Sequence, residues 1–118
     1  MKRDYKKLVR IAARNLYNKQ AEDVFIYDVR DFSPFFDWVL VATGKNEVHL
    51  KALLDSLIEE MEKSSLSPHH IEGEDAKRWI LIDYEGFVVH IFLPEVRKYY
   101  EFDRIFEGMK KLRFVYKR

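Results

Sequence analysis

The side chains best suited to chemistry are the carboxylates between residues 72 and 85, which could hold a hard cation or attract a basic partner. They are Glu72, Glu74, Asp75, Asp83 and Glu85. A calcium loop needs oxygen ligands at alternating positions of one tight loop ending in glutamate, and this segment lacks that spacing. It also lacks the Gly-Ser and Asp-x-Asp pattern of a two-metal site for nucleotidyl transfer. We therefore predict no metal here, and two interpretations stay open: an acidic face for a basic partner, or simple solubility.

The histidines and one glycine-lysine pair lie in contexts that argue against catalysis. His69 and His70 are adjacent, so on a strand they point to opposite faces and cannot share a metal ion. His90, within an apolar strand, is typical of a core or interface residue. Gly44-Lys45 follows a strand but lacks the preceding glycine of a phosphate loop. Because the chain also has no cysteine and no serine in a nucleophile-elbow context, we predict no catalytic residue and no cofactor.

The segment that carries these acidic residues is predicted to form a β-hairpin. Two hydrophobic runs, 79–82 and 87–93, flank Asp83-Tyr84-Glu85-Gly86. This pattern predicts two strands joined by a tight turn, in which Gly86 takes the positive φ. The hairpin and the acidic residues that precede it predict a surface on which a partner docks.

Aromatic residues near the hairpin indicate how such a face would bind. Trp79 is predicted to be an exposed anchor, because tryptophan buries a large area while keeping a polar handle; a core-facing Trp79 is the alternative. Tyr84, Tyr99 and Tyr100 are predicted to extend an aromatic rim. Acidic rather than basic side chains are interleaved with these aromatic residues. This favours a protein partner over a nucleic acid whose bases would stack on the rings.

The elements that must position these residues form one α/β domain over residues 1–118. Apolar spacing predicts a helix near 3–20 and a second that follows Asn46 as its N-cap, carries an apolar stripe from Leu50 to Met61 and is broken at Ser64 to Pro68. Shorter helical pieces are predicted at 95–100 and 102–109. Alternating or continuous apolar runs predict strands at 22–30, 38–42, 69–73, 79–82 and 87–93. This order predicts a mixed five-stranded sheet flanked by helices.

Composition favours a soluble, cytoplasmic protein without a disulfide. The chain has 118 residues, no cysteine and a formal net charge of +1. No apolar run approaches the ~20 residues of a membrane span, and no signal peptide is visible. Basic residues concentrate at the start and in a predicted C-terminal tail over about 108–118, where a solvated helix face and a frayed end are the simplest interpretation.

Six short runs carry a resemblance to a known family. In chain order they are Asp28-Val-Arg30, Phe36-Asp-Trp-Val-Leu-Val-Ala-Thr-Gly44, Glu72-Gly73, Trp79-Ile-Leu-Ile-Asp-Tyr84, Val88-Val-His-Ile-Phe92 and Arg97-Lys-Tyr-Tyr100. With these runs the chain resembles the ribosomal silencing factor family (RsfS, or Iojap-like) over roughly residues 8–107. It departs from the family at Trp38, where tyrosine is usual, and at Phe106, where the final helix usually carries tryptophan.

The resemblance implies a nucleotidyltransferase-like α/β fold without catalytic residues, and a repressor of translation. Family members bind the large ribosomal subunit through ribosomal protein fourteen and sterically block association with the small subunit. Carried over by motif onto this sequence, the partner-binding residues are Trp79, Asp83, Tyr84, His90 and Tyr100, and Glu72 and Glu74 are predicted to supply charge.

Other functions stay open from the sequence. A cryptic nucleotidyltransferase would bind nucleotide near Gly44 and hold a metal. An RNA-binding module would use the basic first helix, and the basic tail could make a minor contact with ribosomal RNA. The sequence also leaves open whether the chain forms a homodimer.

Overall fold

A six-stranded mixed sheet forms the centre of the protein, whose computed structural model describes residues 3–114. Within this range the helices are α1 (Tyr5–Asn18), α2 (Glu47–Glu62) and α3 (Pro94–Tyr100), followed by a 3-10 helix (Phe102–Phe106). The strands are β1 (Glu22–Asp28), β2 (Trp38–Thr43), β3 (His70–Glu72), β4 (Trp79–Asp83), β5 (Phe87–Phe92) and β6 (Lys111–Leu112). The predicted α/β class with a mixed sheet is confirmed.

The strand order is β3-β4-β5-β2-β1-β6, with β2 and β5 parallel and all other neighbours antiparallel. Every residue of β2 and β5 is buried. This follows from their apolar sequences, because a parallel pair at the centre of a sheet is covered on both faces. The connection between them contains α2 and the β3–β4 hairpin.

Helices α1 and α2 cover one face of the sheet. Each begins at the side chain that caps it: Asp4 accepts from the amide of Lys7 at 3.0 Å, and Asn46 accepts from that of His49 at 2.8 Å. Asn46 as the N-cap of α2 is therefore confirmed. The five fully buried α1 side chains are Leu8, Val9, Ala12, Ala13 and Leu16, and those of α2 are Leu50, Leu53, Leu54, Leu57 and Met61.

Helix α3 and the 3-10 helix cover part of the opposite face. Phe102 lies 4.6 Å from the ring of His90 and 4.8 Å from that of Phe92, centroid to centroid. Phe106 stacks on Tyr27 at 4.6 Å. The short C-terminal helices thereby bury the outward side chains of β1 and β5.

The sheet has six strands rather than the predicted five, because β6 lies inside the segment predicted as a tail. Its two residues pair with β1, Leu112 opposite Ile26 and Lys111 opposite Tyr27. The Lys111 ammonium also lies 4.0 Å from the centroid of the Phe25 ring. A strand of two residues is too short to show the alternation of apolar and polar residues, so no local sequence pattern predicts β6. Residues 115–118 of the predicted tail lie outside the described residues.

The hairpin of β4 and β5 is confirmed, but its glycine serves another purpose than predicted. Glu85 takes the positive φ, at 73°, and Gly86 does not. The Asp83 carboxylate stabilises the turn by accepting from the amide of Glu85 at 2.8 Å. A Cβ at Gly86 would fall 2.2 Å from the ring of Tyr5. Glycine is thus needed at position 86 for the close approach of α1, not for backbone freedom.

Candidate protein-binding surface

An aromatic cluster holds Trp79 at the start of β4. Its ring lies 4.8 Å from Phe92, 5.7 Å from Phe102 and 5.4 Å from Tyr100, between centroids. Phe92 and Phe102 are buried, whereas Trp79 is half-buried and Tyr100 is exposed. One part of the indole therefore rests on the core while another part faces solvent.

His90 fixes the orientation of that indole. The Trp79 Nε1–H donates to Nδ1 of His90 at 3.0 Å. His90 lies on the neighbouring strand, two positions before Phe92, which is directly opposite Trp79. Burial lowers the pKa of His90 to about 4, so the imidazole is neutral at pH 7. Accepting at Nδ1 places the ring proton on Nε2. His90 thus positions Trp79, and no residue between 3 and 114 is seen to hydrogen-bond it as a nucleophile or an acid partner would.

A groove of about 470 Å³ separates Trp79 from α3. Its lining residues are Arg78, Trp79, Glu95, Val96, Tyr99 and Tyr100. The side chains of Tyr99 and Tyr100 remain 79% and 58% exposed, and their rings pack edge to face at 5.0 Å. The groove therefore offers aromatic surface between one basic and one acidic side chain, which suits an apolar side chain of a protein partner.

The predicted acidic residues lie beside this groove without converging on it. Glu72 is exposed, lies opposite the middle of β4 and pairs with His70 at 2.8 Å. Glu74 is exposed in the loop that follows. Asp83 stands at the far end of β4, where it holds the turn at Glu85. Four residues of strand put Asp83 about 13 Å from Trp79. The three acids therefore lie outside the aromatic groove and are spread along β3, the following loop and the far end of β4.

Tyr84 is a correction to the predicted site. The residue is 1% exposed and its ring stacks on Phe87 at 5.2 Å, beneath α1 and α2. Its hydroxyl is buried without a hydrogen-bond partner among the described residues. The strand alternation breaks at the turn, which directs Tyr84 into the core rather than along the aromatic rim. A partner cannot reach it in this fold.

Sequence reasoning missed the role of Arg97, which lies behind the groove at 8% exposure. Its guanidinium binds both carboxylate oxygens of Asp103 at 2.8 and 2.7 Å, and also Thr43 Oγ1 and the carbonyl of Asp23 at 2.8 Å each. The Tyr27 hydroxyl donates to the same carboxylate at 2.6 Å. Hydrogen bonds from Arg97 hold the pKa of Asp103 below its usual value, and burial raises that of Tyr27. The signal was present only as Arg97 within a family motif, because its partners are distant in sequence.

Gly44, considered above for phosphate binding, is explained by packing. A Cβ at this position would fall 2.5 Å from Cδ1 of Leu50 on α2. The glycine therefore lets α2 approach the end of β2 closely. Nothing in this contact requires a phosphate.

Neither a metal cluster nor a membrane helix is found in the part of the chain that the structure describes. No three His, Asp or Glu side chains between residues 3 and 114 converge so as to hold a metal ion. No helix in that range is long and apolar enough to cross a bilayer.

Comparison with known families shows which family has this sequence and fold. A family model described as "RsfS: Ribosomal silencing factor during starvation" matches residues 2–116. The chain belongs to the ribosomal silencing factor family. The resemblance inferred from the six short runs is thus confirmed. Because the silencing factors are non-enzymatic and act on the ribosome, the predictions of translation regulation and of no enzymatic activity are confirmed as well.

Individual relatives extend this likeness over most of the chain. The ribosomal silencing factor RsfS of Bacillus subtilis is 28% identical over 100 residues, which cover 85% of each chain. A crystal structure of a protein from Chromobacterium violaceum is 26% identical, with a TM-score of 0.85 over 98% of this chain and 95% of that one. The mouse "mitochondrial assembly of ribosomal large subunit protein 1" is 29% identical, over 76% of this chain and 41% of its own length.

Proposed function

We propose that this silencing factor binds the large ribosomal subunit through ribosomal protein fourteen and thereby blocks association with the small subunit. Translation is turned down as a result, in the cytoplasm, when nutrients are short. Membership of the family supports the ribosome as the target. The observation that carries the choice of surface is the groove between Trp79 and α3, with its two exposed tyrosines.

The groove has the properties of an interface hot spot. Trp79 is already held by Phe92, Phe102 and the hydrogen bond to His90, so little side-chain freedom is lost when a partner covers it. Tryptophan and tyrosine are enriched among the residues that dominate binding energy. Trp79 and Tyr100 are therefore the proposed anchors, and His90 acts through Trp79.

The acidic residues contribute attraction at longer range. Glu72 and Glu74 are exposed, and Asp83 is half-buried at the far end of β4. Charges at the surface mainly raise the association rate with a basic partner. Ribosomal proteins are commonly basic, which suits this sign. These acids are proposed to steer the partner rather than to anchor it, so their removal would matter most at low salt.

To block subunit association, the protein needs only affinity for the large subunit and sufficient size. The protein measures 38 × 33 × 30 Å, and a rigid body of this size seated on the joining surface of one subunit would occupy the space that the other must fill. No chemical step is required. The mechanism is competition for a surface.

Co-sedimentation with isolated large subunits tests the proposal. The Trp79→Ala, Tyr100→Ala variant is expected to bind at least about 100-fold more weakly than the wild type, because hot-spot truncations cost ~2 kcal/mol or more each. It should also fail to inhibit the joining of small subunits. Binding is measured by ultracentrifugation and joining by the yield of complete ribosomes.

The matched control is Phe32→Ala, Phe35→Ala, which removes two exposed aromatic side chains from the β1–β2 loop, away from the groove. This control should bind and inhibit like the wild type. Wild-type protein that ignores large subunits would sink the proposed function. Equal losses in both variants would show that the groove is not the contact surface.

No observation favours the alternative of a cryptic nucleotidyltransferase. Its expected nucleotide position is near Gly44, where Leu50 packs against the backbone. The alternative of RNA binding has a structural feature of its own, which lies on a different face of the molecule.

A further inference from the structure

The two basic ends of the chain meet in the folded protein. The Arg10 Nε–H of α1 donates to the carbonyl of Arg113 at 2.9 Å. Next to it, the ring of Phe114 packs edge to face on Tyr17 of α1 at 6.1 Å. The segment that follows β6 therefore lies along α1, although more than a hundred positions separate Arg10 from Arg113. We call the side chains of Lys6, Lys7, Arg10 and Arg14 the basic face.

The basic face has a regular geometry. Lys6, Arg10 and Arg14 follow each other at intervals of four residues, which places them in a row about 6 Å apart along the helix axis. A shallow groove of about 320 Å³ runs beside them. Its lining residues are Asp4, Lys6, Lys7, Arg10, Ile11 and Arg14. The row thus presents a line of positive charge along one straight element.

Among the described residues, the four side chains of the basic face lack the acidic partners that basic residues have elsewhere in the protein. Ion pairs within the described range involve Arg30, Lys51, Lys63, Arg97 and Arg104. None involves the four α1 side chains of the basic face. The nearby Asp4 carboxylate is engaged as the N-cap of α1.

The arrangement is unfavourable for α1 itself. Like charges four residues apart on a helix repel each other. Lys6 and Lys7 also lie in the first turn, where the helix dipole disfavours positive charge, and this turn contains no acidic residue. Unfavourable charge retained in a row is typical of a surface whose counter-charge comes from a ligand. A polyanion with regularly spaced charges would relieve it.

We propose that the basic face binds the phosphate backbone of RNA. A membrane is a poor match, because the apolar side of α1 is buried in the core and leaves no apolar face to enter a bilayer. An acidic protein is also a poor match. Protein interfaces need an apolar centre, and the groove offers only the half-buried Ile11. The choice of RNA over other phosphate polymers rests on the proposed function.

The basic face and the aromatic groove lie on opposite sides of the sheet. Tyr5 of α1 packs against Phe87 on one side, whereas Trp79 packs against Phe92 on the other. Since neighbouring residues of β5 alternate in direction, both surfaces are available at once. An RNA contact would then add to the protein contact through effective concentration rather than compete with it.

Fluorescence anisotropy with a labelled RNA hairpin tests this inference on the full chain. The wild type is expected to bind with a steep salt dependence between about 50 and 200 mM. Lys6→Ala, Lys7→Ala, Arg14→Ala should weaken binding by at least about tenfold and reduce the slope of log K against log salt by roughly 2 to 3. Alanine is the best helix former, and the changes remove repulsion, so the melting temperature of this variant should not fall.

The matched control is Lys45→Ala, Lys51→Ala, Arg104→Ala, which removes the same three charges from exposed positions away from α1. It should retain nearly wild-type affinity and slope. Equal losses of RNA affinity in the two triple variants would show that only the net charge of the protein matters, and would overturn the proposal. So would an absence of RNA binding by the wild type at low salt.

Two further measurements distinguish RNA binding from lipid binding and from binding through the aromatic groove. Vesicles containing phosphatidylserine should not bind; vesicle binding as tight as RNA binding, lost in the α1 variant, would assign the surface to lipid instead. The Trp79→Ala, Tyr100→Ala variant should bind the hairpin like the wild type. Naked RNA contains no ribosomal protein, so the hairpin assay tests only the RNA contact. It can fail while binding to large subunits is observed, and binding to large subunits can fail while the hairpin is bound.

Discussion

At the residue scale, the contact between Trp79 and His90 links the core to the proposed binding surface. An exposed tryptophan would lose side-chain freedom on binding, but the hydrogen bond at 3.0 Å already holds this one. Only a neutral imidazole accepts at Nδ1, so the contact depends on the burial that lowers the pKa of His90 to about 4. One titratable group thereby connects stability and binding.

His90 should make the protein sensitive to mild acid. Its folded-state pKa of about 4 lies below the ordinary value of 6.5. The neutral form is therefore favoured by folding, and the stabilisation present above about pH 6.5 is lost as the pH falls toward 4. We expect the free energy of unfolding to drop by about 1.4 kcal/mol per pH unit in this window. Urea denaturation between about pH 6.5 and 5 measures the slope before most carboxylates titrate.

The variant His90→Asn isolates this effect. Its side-chain oxygen can accept from the Trp79 indole near the position of Nδ1, but it does not titrate. The variant should be less stable than the wild type at pH 7 because of lost volume, yet show a clearly flatter pH dependence. An unchanged slope would assign the acid sensitivity to other groups.

At the element scale, a short stretch of helix builds half of the proposed surface. Helix α3 supplies Tyr99 and Tyr100, and the 3-10 helix supplies Phe102 beneath Trp79. Neither element is long enough to be stable alone. The Arg97–Asp103 pair fastens both to β1 and β2, through Asp23 and Thr43.

Removing either side of this pair should have unequal effects. Asp103→Asn leaves the buried guanidinium of Arg97 without its counter-charge, and we expect a loss of about 3 kcal/mol in the free energy of unfolding. Arg97→Met removes the buried charge itself and leaves the partly exposed Asp103 with Tyr27, so the loss should be smaller, about 1 to 2 kcal/mol. Urea denaturation of both variants and of the double variant measures the coupling. Equal, additive losses would show that the two residues act independently.

At the scale of the whole molecule, β6 closes one edge of the sheet and joins the ends of the chain. The amide of Asp28 donates to the carbonyl of Lys110 at 2.8 Å, and Leu112 pairs with Ile26. An open β1 edge would present free backbone groups to other chains. The same short strand places the backbone of Arg113 against Arg10 of α1, beside the basic face.

Truncation after Gly108 should therefore separate three properties. Loss of the partly buried Leu112 and Phe114 should cost about 2 kcal/mol of stability, and the open edge should promote aggregation. RNA affinity should fall, whereas large-subunit binding should persist because the aromatic groove lies at the other side of the sheet. A chain ending at Phe114 keeps β6 and serves as the control. Thermal melting, light scattering and co-sedimentation provide the three measurements.

The sequence by itself determined the elements whose signals are local. The amphipathic spacing of α1 and α2, the Asn46 cap, the continuous apolar runs of β2 and β5 and the hairpin all follow from residues within a few positions of each other. The same holds for Trp79, which stands out by residue type and by its acidic neighbours. The family runs also lie within single elements or at their ends, and they were sufficient to indicate a silencing factor.

Only the tertiary structure decided which of these residues meet. Tyr84 entered the core, His90 became the partner of Trp79, and Arg97 found Thr43 at a separation of 54 positions. The C-terminal segment likewise came to lie beside α1 through the contact between Arg10 and the backbone of Arg113. Such contacts depend on how the sheet brings distant segments together, and a periodicity read over a few residues contains no information about that distance.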